Sequence, residues 1–398
     1  MKILWAKIDF LHPTNRGGQI RSLEMLKRLS RGNELHYVAY DDPASAEGRD
    51  RAQEYSAKSF PVNRPTPPRS SPRFFCQLAA NLVSPLPLAV ARYRSTLMQC
   101  ELARIISAGH YDAVVADFLS ITPNFTQVSG CVLFQHNVES AIWKRHAEHA
   151  GSPQRRFYFR SQARRMERYE SAVCRAVRRI ISVSPADTQT MQRQYGVERI
   201  DDIPTGVDVG YFGRPTNPPL MSDMVFVGAM DWLANIDAAL WFMREVFPLV
   251  RAVRPHATVT FAGRNPSPEI RALKDRAAGV HVTGTVPDVR PYLWGASVSI
   301  VPLRIGGGTR LKIYEAMAAG VPVVSTQVGA EGLAVTDGRD IHLANDAESF
   351  ARKVLQLLSS PCERHARADA ARELVAGQFS WESVTDRFEK ILEASVAK

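Results

Sequence analysis

Gly306, Gly307, Gly308, Thr309, Arg310, Lys312 and Glu315 stand close together in the stretch IGGGTRLKIYEAMAAGVPVVSTQVGAEGL at residues 305–333. The apolar run Val298–Leu303 before them reads as a buried strand. Thr309 is a good N-cap, residues 310–319 are helix formers, and Gly320 stands where a C′ glycine belongs. Val321 to Val324 reads as a second buried strand. A glycine loop feeding a helix start offers free backbone N–H groups and the positive end of the helix dipole, which suits phosphate. Arg310 and Lys312 add mobile positive charge. Leu311, Glu315 and Ala318 share one helix face, so a carboxylate falls on the stripe that should be buried. A buried carboxylate needs donors. Either a pair of sugar hydroxyls supplies them, or Glu315 pairs with an Arg or Lys at the domain surface.

The segment GGGTRLKIYEAMAAGVPVVST resembles the nucleotide-sugar signature of retaining glycosyltransferases of family 4, whose fold is the two-domain GT-B. That signature is usually Glu-x7-Glu, the second Glu binding the ribose and the first the transferred sugar. Glu315 matches the second. The first falls on Gly307, so the backbone of the Gly306–Thr309 loop is expected to take over the sugar contact. The resemblance implies an α/β chain of two Rossmann-like domains whose parallel sheets face a cleft, with a C-terminal helix crossing back to the first domain. The corresponding boundaries are 1–205 for acceptor binding, 206–375 for the nucleotide sugar, and 376–398 for the returning helix.

Further positions follow in chain order. Lys2 to Asp9 reads as a strand, followed by a turn-rich loop with Gly17 and Gly18 and a helix from Ile20. The dinucleotide spacing G-x-G-x-x-G is absent. Gly17-Gly18 is either a plain tight turn or, as the resemblance implies, a loop near the diphosphate and acceptor. Val132-Leu133-Phe134 reads as a core strand that ends in Gln135-His136-Asn137. Ligands in open α/β sheets bind beyond the carboxyl ends of strands, and by resemblance His136 touches the transferred sugar, with Asn137 beside it. In the second half, Gly228 ends a strand where relatives place an Arg and a Lys for the donor diphosphate; Arg310 and Lys312 are the candidates for that charge here. Val286 falls in a segment whose backbone meets the nucleobase in relatives. The stretches His-Asn-Val-Glu-Ser and Ala91-Arg92-Tyr93-Arg94-Ser95 are most similar to sugar transferases of bacterial exopolysaccharide clusters linked to exosortase sorting.

The elements that must position these residues come from an ordinary globular composition: 398 residues, 45% hydrophobic and 23% charged, enough for two cores. The five cysteines are scattered without a C-x-x-C pair, which fits a reducing cytoplasm better than a disulfide framework or a zinc site. The start, Met1 to Trp5, lacks the apolar core of a signal peptide, and no run reaches the roughly 20 apolar residues of a membrane span. The formal charge of +10 suits nucleic acid, an anionic membrane or a phosphorylated ligand; no nucleic-acid module is recognisable. Arginines crowd the expected helix Arg155–Arg179 and the proline-rich segment Arg64–Phe75. They form either a solvated face or a surface for anionic lipid or a phosphorylated acceptor.

No Walker A loop, G-x-S-x-G, H-E-x-x-H or D-x-D occurs, so no metal site and no cofactor beyond a nucleotide-sugar substrate is expected. The leading expectation is a retaining glycosyltransferase that uses His136, Arg310 and Lys312 on a glycan or lipid-linked acceptor. A nucleotide-sugar 2-epimerase of the same fold and a non-catalytic scaffold for polysaccharide or membrane are the alternatives.

Overall fold

The computed structural model describes residues 1–14, 17–41, 46–63, 72, 76, 79–81, 84–148, 152–275, 277–305 and 311–396. The glycine loop Gly306–Arg310 and most of the Arg64–Phe75 segment therefore lie outside the described residues. The chain forms two compact units, Met1–Pro204 with Val384–Lys398, and Thr205–Ser383. The chain thus stays with the second unit through Ser383 rather than leaving it at residue 375.

In the first unit, β1 (Lys2–Ala6), β2 (Glu34–Asp41), β3 (Lys58–Asn63), β4 (Ala113–Asp117), β5 (Cys131–Gln135), β6 (Arg179–Ser182) and β7 (Ile200–Asp202) form one parallel sheet in the order β3-β2-β1-β4-β5-β6-β7. Its central strands are apolar runs buried on both faces, as parallel sheets require; every residue of β5 is buried. Ile3 is in register with Leu35 on one side and Ala113 on the other. The order reverses between β1 and β4, so the carboxyl ends of these strands flank a topological switch point. Of the helices, α1 (Gly17–Leu29), α2 (Glu139–Glu148), α3 (Pro153–Ala176) and α4 (Pro185–Tyr195) carry the side chains that matter below.

The second unit repeats the plan with β8 (Ser222–Val227), β9 (Val259–Ala262), β10 (Val280–Val282), β11 (Ala296–Val301), β12 (Val323–Ser325) and β13 (His342–Leu343), ordered β10-β9-β8-β11-β12-β13. Its switch point lies between β8 and β11, where α5 (Leu233–Trp241) and α6 (Leu311–Ala318) begin.

Three features depart from the sequence reading. Gly17 and Gly18 form the first turn of α1 instead of a loop. The proline-rich stretch from Ser59 to Pro87 reads from the sequence as an extended loop leading to a short helix, but its first residues belong to β3. A proline lacks the N–H that a central strand needs, but β3 pairs with β2 alone, so Pro61, opposite Ala39, sits on an edge. The short strands β7 and β13 carry too few residues to show a periodic signal.

The last helix, α7 (Trp381–Val396), returns to the first unit. Phe388 is fully buried, with its ring 5.5 Å from Trp5 and 5.3 Å from Phe134. Asn33 donates to Glu389 at 2.7 Å. Where the chain first passes into the second unit, Val207 N–H donates to Phe379 O at 2.7 Å and Trp381 N–H to Val207 O at 3.2 Å. A Cβ on Gly206 would lie 2.4 Å from the Trp381 ring, so only glycine fits there. Removing the Phe388 ring should leave a cavity against Trp5 and Phe134. Phe388→Ala is expected to destabilise the first unit by about 3–5 kcal/mol, measured by urea unfolding followed through tryptophan fluorescence.

Candidate functional site

At the switch point of the first sheet, four elements bring side chains to one carboxylate. Asp117, the last residue of β4, is fully buried. Its Oδ2 pairs with Lys7 Nζ at 2.8 Å and accepts from Trp5 Nε1 at 2.9 Å and Ser22 Oγ at 2.6 Å. Its Oδ1 lies 2.8 Å from His136 Nε2, and His136 Nδ1 lies 3.3 Å from an Arg21 guanidinium nitrogen. A guanidinium only donates and an ionised carboxylate only accepts, which makes His136 the neutral Nε2–H tautomer. Burial pushes His136 down to about 3, against the pull of Asp117. Burial alone would raise Asp117, but Lys7 and His136 override it and hold the carboxylate below its usual range. Burial also draws Arg21 down to about 10, with Asp117 and Asp187 opposing.

Phe118 completes this cluster. Its φ of 74° is a left-handed conformation that bulky residues adopt only when their surroundings compel it. The ring stacks on His136 at 3.9 Å with 9° between planes, and Lys7 Nζ sits 4.3 Å over it. A Cβ on Gly18 would meet the same ring at 2.8 Å, so the glycine admits the stack. His136 thus has both nitrogens engaged and one face covered; contact with a sugar would require one of these bonds to yield. Asn137, next to it, is exposed, as is Gly17 at the start of α1.

A second buried carboxylate orders the segment around His136. Glu170 of α3 accepts from Gln135 Nε2 at 3.0 Å, the N–H of Glu139 at 2.8 Å, the N–H of Ser140 at 2.9 Å and Tyr195 Oη at 2.6 Å. It therefore caps α2 from outside and pins residues 135–140, replacing donors the helix start would otherwise leave open. Glu139 is pushed up to about 7 by burial and the Glu170 charge. Lys7, Arg21, Asp117, Phe118, Glu139 and Glu170 were all missed by sequence reasoning. The available signal was a charged residue closing an apolar strand at Lys7 and Asp117, and an acid inside the His-Asn-Val-Glu-Ser stretch.

The second unit builds its own site on close backbone approach. Gly263 has φ 153°, and a Cβ there would lie 1.7 Å from Gly228 O. A Cβ on Gly228 would lie 2.7 Å from Asn235 Nδ2 and 2.9 Å from Lys312 Nζ. Asn235 bridges the elements: it donates to Ala229 O at 2.8 Å and accepts from Lys312 Nζ at 2.8 Å. Lys312 is thus brought to Gly228 across the switch point. The loop holding Val286 is tied in by Asn265 N–H to Thr285 Oγ1 at 3.3 Å and Gly263 N–H to Thr283 Oγ1 at 3.4 Å.

Glu315 lies on α6 and is partly buried. Burial pushes its carboxyl up while Lys312 pulls it down. Among the described residues its oxygens accept no hydrogen bond and make no ion pair, Lys312 donating instead to Asn235. The structure thus brings Gly228, Lys312 and Glu315 to one end of the second sheet. Gly306, Gly307, Gly308, Thr309 and Arg310 lie outside the described residues. No cluster of three His, Cys, Asp or Glu side chains among the described residues is placed to hold a metal ion, and no described helix is long and apolar enough to cross a membrane.

The buried state of His136 carries a signature in stability. Between about 6.5 and about 3, the unfolded chain binds the imidazole proton and the folded chain does not, so stability falls as pH falls. One unit below the ordinary value, this costs about 1.4 kcal/mol. Glu139, raised when folded, acts in the opposite sense, and Asp117, depressed when folded, acts only at lower pH. Comparison with His136→Gln isolates the imidazole. On going from about pH 7 to about pH 5.5, the wild type should lose about 1.4 kcal/mol more than the variant in urea unfolding; equal losses would mean that the imidazole is open to water.

Residues 16–211 match the family described as Glycosyltransferase Family 4, and residues 222–360 match Glycosyl transferases group 1. A relative named as an MMP alpha-(1->4)-mannosyltransferase of Mycolicibacterium hassiacum is 25% identical over 58% of this chain and 57% of its own length. The chain spans about half the length of the curated relatives it matches. Among solved structures, a sucrose-phosphate synthase of Thermosynechococcus elongatus aligns at TM-score 0.65 and 16% identity, covering 100% of this chain and 99% of that one. Anabaena Alr3699/HepE in complex with UDP aligns at TM-score 0.63 and 13% identity, covering 99% and 100%. On the GT-B fold, this chain carries a glycosyltransferase family 4 domain followed by a glycosyl transferases group 1 domain.

Proposed function

We propose that this chain is a retaining, metal-independent glycosyltransferase that moves a sugar from a nucleotide-sugar donor to a glycan or lipid-linked acceptor in exopolysaccharide assembly. The observation that carries the reading is Glu315, a partly buried carboxylate that accepts no hydrogen bond from a side chain among the described residues, on the helix that brings Lys312 beside Gly228. Ribose hydroxyls supply the donors such a carboxylate needs. Lys312 faces the diphosphate, and Arg310 and the Gly306–Thr309 backbone join it by resemblance. The backbone around Val286 meets the base. UDP in the HepE structure and the mannosyltransferase name of the relative support a nucleotide-sugar donor. The exopolysaccharide setting rests on the resemblance at His-Asn-Val-Glu-Ser and residues 91–95.

In this reading the first unit receives the acceptor, with His136, Asn137, Gly17 and Gly18 at its edge. The acceptor oxygen bonds to the anomeric carbon as the carbon–oxygen bond to the diphosphate breaks. The hydroxyl proton passes to the departing diphosphate, so no protein nucleophile is needed. Lys312 and Arg310 stabilise the charge that grows on that leaving group. The enzyme works in the cytoplasm, with peripheral contact to the inner face of the plasma membrane through exposed arginines of α3.

Glu315→Ala should weaken donor binding by about 1.5–3 kcal/mol in calorimetry, with circular dichroism unchanged; equal affinity removes the ribose role. Transfer activity should persist in EDTA, because cations and backbone amides, not a metal, meet the phosphates. Loss on chelation with recovery on adding Mg²⁺ or Mn²⁺ would contradict this. Acceptor-independent consumption of a UDP-sugar would instead identify the epimerase, and neither hydrolysis nor transfer would identify the scaffold.

A further inference from the structure

All but Arg155 of the arginines of α3 fall into two sets. Arg165 and Arg175 donate to the backbone oxygens of Asn81 and Tyr195. Just beyond the helix, Arg178 donates to Ser395 O and Arg179 pairs with Asp201 at 2.9 Å. These are structural contacts. Arg156, Arg160, Arg164 and Arg168 recur every four residues along one exposed face. Among the described residues, none of these four makes an ion pair or a side-chain hydrogen bond. Like charges at this spacing repel and weaken a helix, so the stripe has no stabilising role of its own.

The stripe lines a cavity. A groove of about 570 Å³ between α2 and α3 is walled by Lys144, Glu148, Arg156, Arg160, Arg164 and Glu167. That volume is in the range of small-molecule sites, roughly 300–1,000 Å³. A second depression of about 240 Å³ continues past Arg164 and Glu167 to Arg168. Trp143 and His146 of α2 pack on Phe159 of α3, with centroids 6.1 and 5.7 Å away, so the groove is held open before any ligand arrives. Lys144 is matched by Glu167 at 2.8 Å. The four cations of the wall exceed its two carboxylates by two charges.

We propose that the groove between α2 and α3 binds a phosphoryl dianion, a phosphate monoester or a diphosphate. The charge excess matches such a group, and arginine forks grip its oxygens two at a time. Assigning the dianion to the acceptor rests on the glycosyltransferase reading above; the binding itself does not. The same chemistry comes from a lipid headgroup or from a soluble phosphorylated glycan.

The test is calorimetric titration of the full chain with inorganic pyrophosphate at low ionic strength, with UDP present to occupy the donor site. Wild type should bind. Arg160→Gln with Arg164→Gln should weaken binding at least tenfold and flatten its salt dependence, without lowering the melting temperature, since like charges are removed. Glu148→Gln should tighten binding several-fold. If wild type takes up no pyrophosphate, or the double variant binds as wild type does, the proposal is overturned. Co-sedimentation with phosphatidylglycerol vesicles, reversed by pyrophosphate, identifies a lipid headgroup as the source. Pyrophosphate binding without vesicle uptake identifies a soluble ligand; either outcome supports the site. Failure of UDP to bind counts against the donor reading only, and the groove is then titrated without it.

Discussion

A carboxylate taken out of water loses several kcal/mol of hydration unless donors replace it. Two fully buried carboxylates of the first unit face that demand. Asp117 meets it with an ammonium, an indole, a hydroxyl and an imidazole. Glu170 meets it with a side-chain amide, two backbone N–H groups and a phenol. Each thereby fixes the strand ends and helix starts that supply the donors. Glu315 of the second unit is only partly buried and accepts no side-chain hydrogen bond among the described residues. The first two carboxylates are architecture, and Glu315 has no such network around it.

The two sheets handle their switch points differently. The first fills its strand ends with a charged network under the Phe118–His136 stack, so Gly18 serves to admit a ring. The second keeps its strand ends bare: Gly228 and Gly263 let backbone meet backbone and let Lys312 lie alongside. Glycine backbone with a lysine held alongside leaves room for a phosphate to approach closely. A packed polar network suits the exact placement of a neighbouring loop.

Much of this was legible in the sequence. The central strands announce themselves as apolar runs, since a strand buried on both faces has no room for polar residues. The face shared by Leu311 and Glu315 follows from helical geometry alone. Other features were not legible, for physical reasons. Pro61 argued against a strand, and only its edge position reconciles the two. Glu170 looks like one more charge on a basic helix until its partners, 25 to 35 residues away, are folded against it. The meeting of Lys312 with Asn235 spans 77 residues and leaves no local trace. Which arginines of α3 are tied down depends on what packs against each one, and periodicity does not encode that.

Helix α3 has one consequence of its own. Its outer face carries the arginine stripe, while its inner face carries Glu170, which grips residues 135–140 beside His136. The bonds that order residues 135–140 are therefore made on one side of this helix and the arginine stripe lies on the other, so the stripe can be substituted without cutting them.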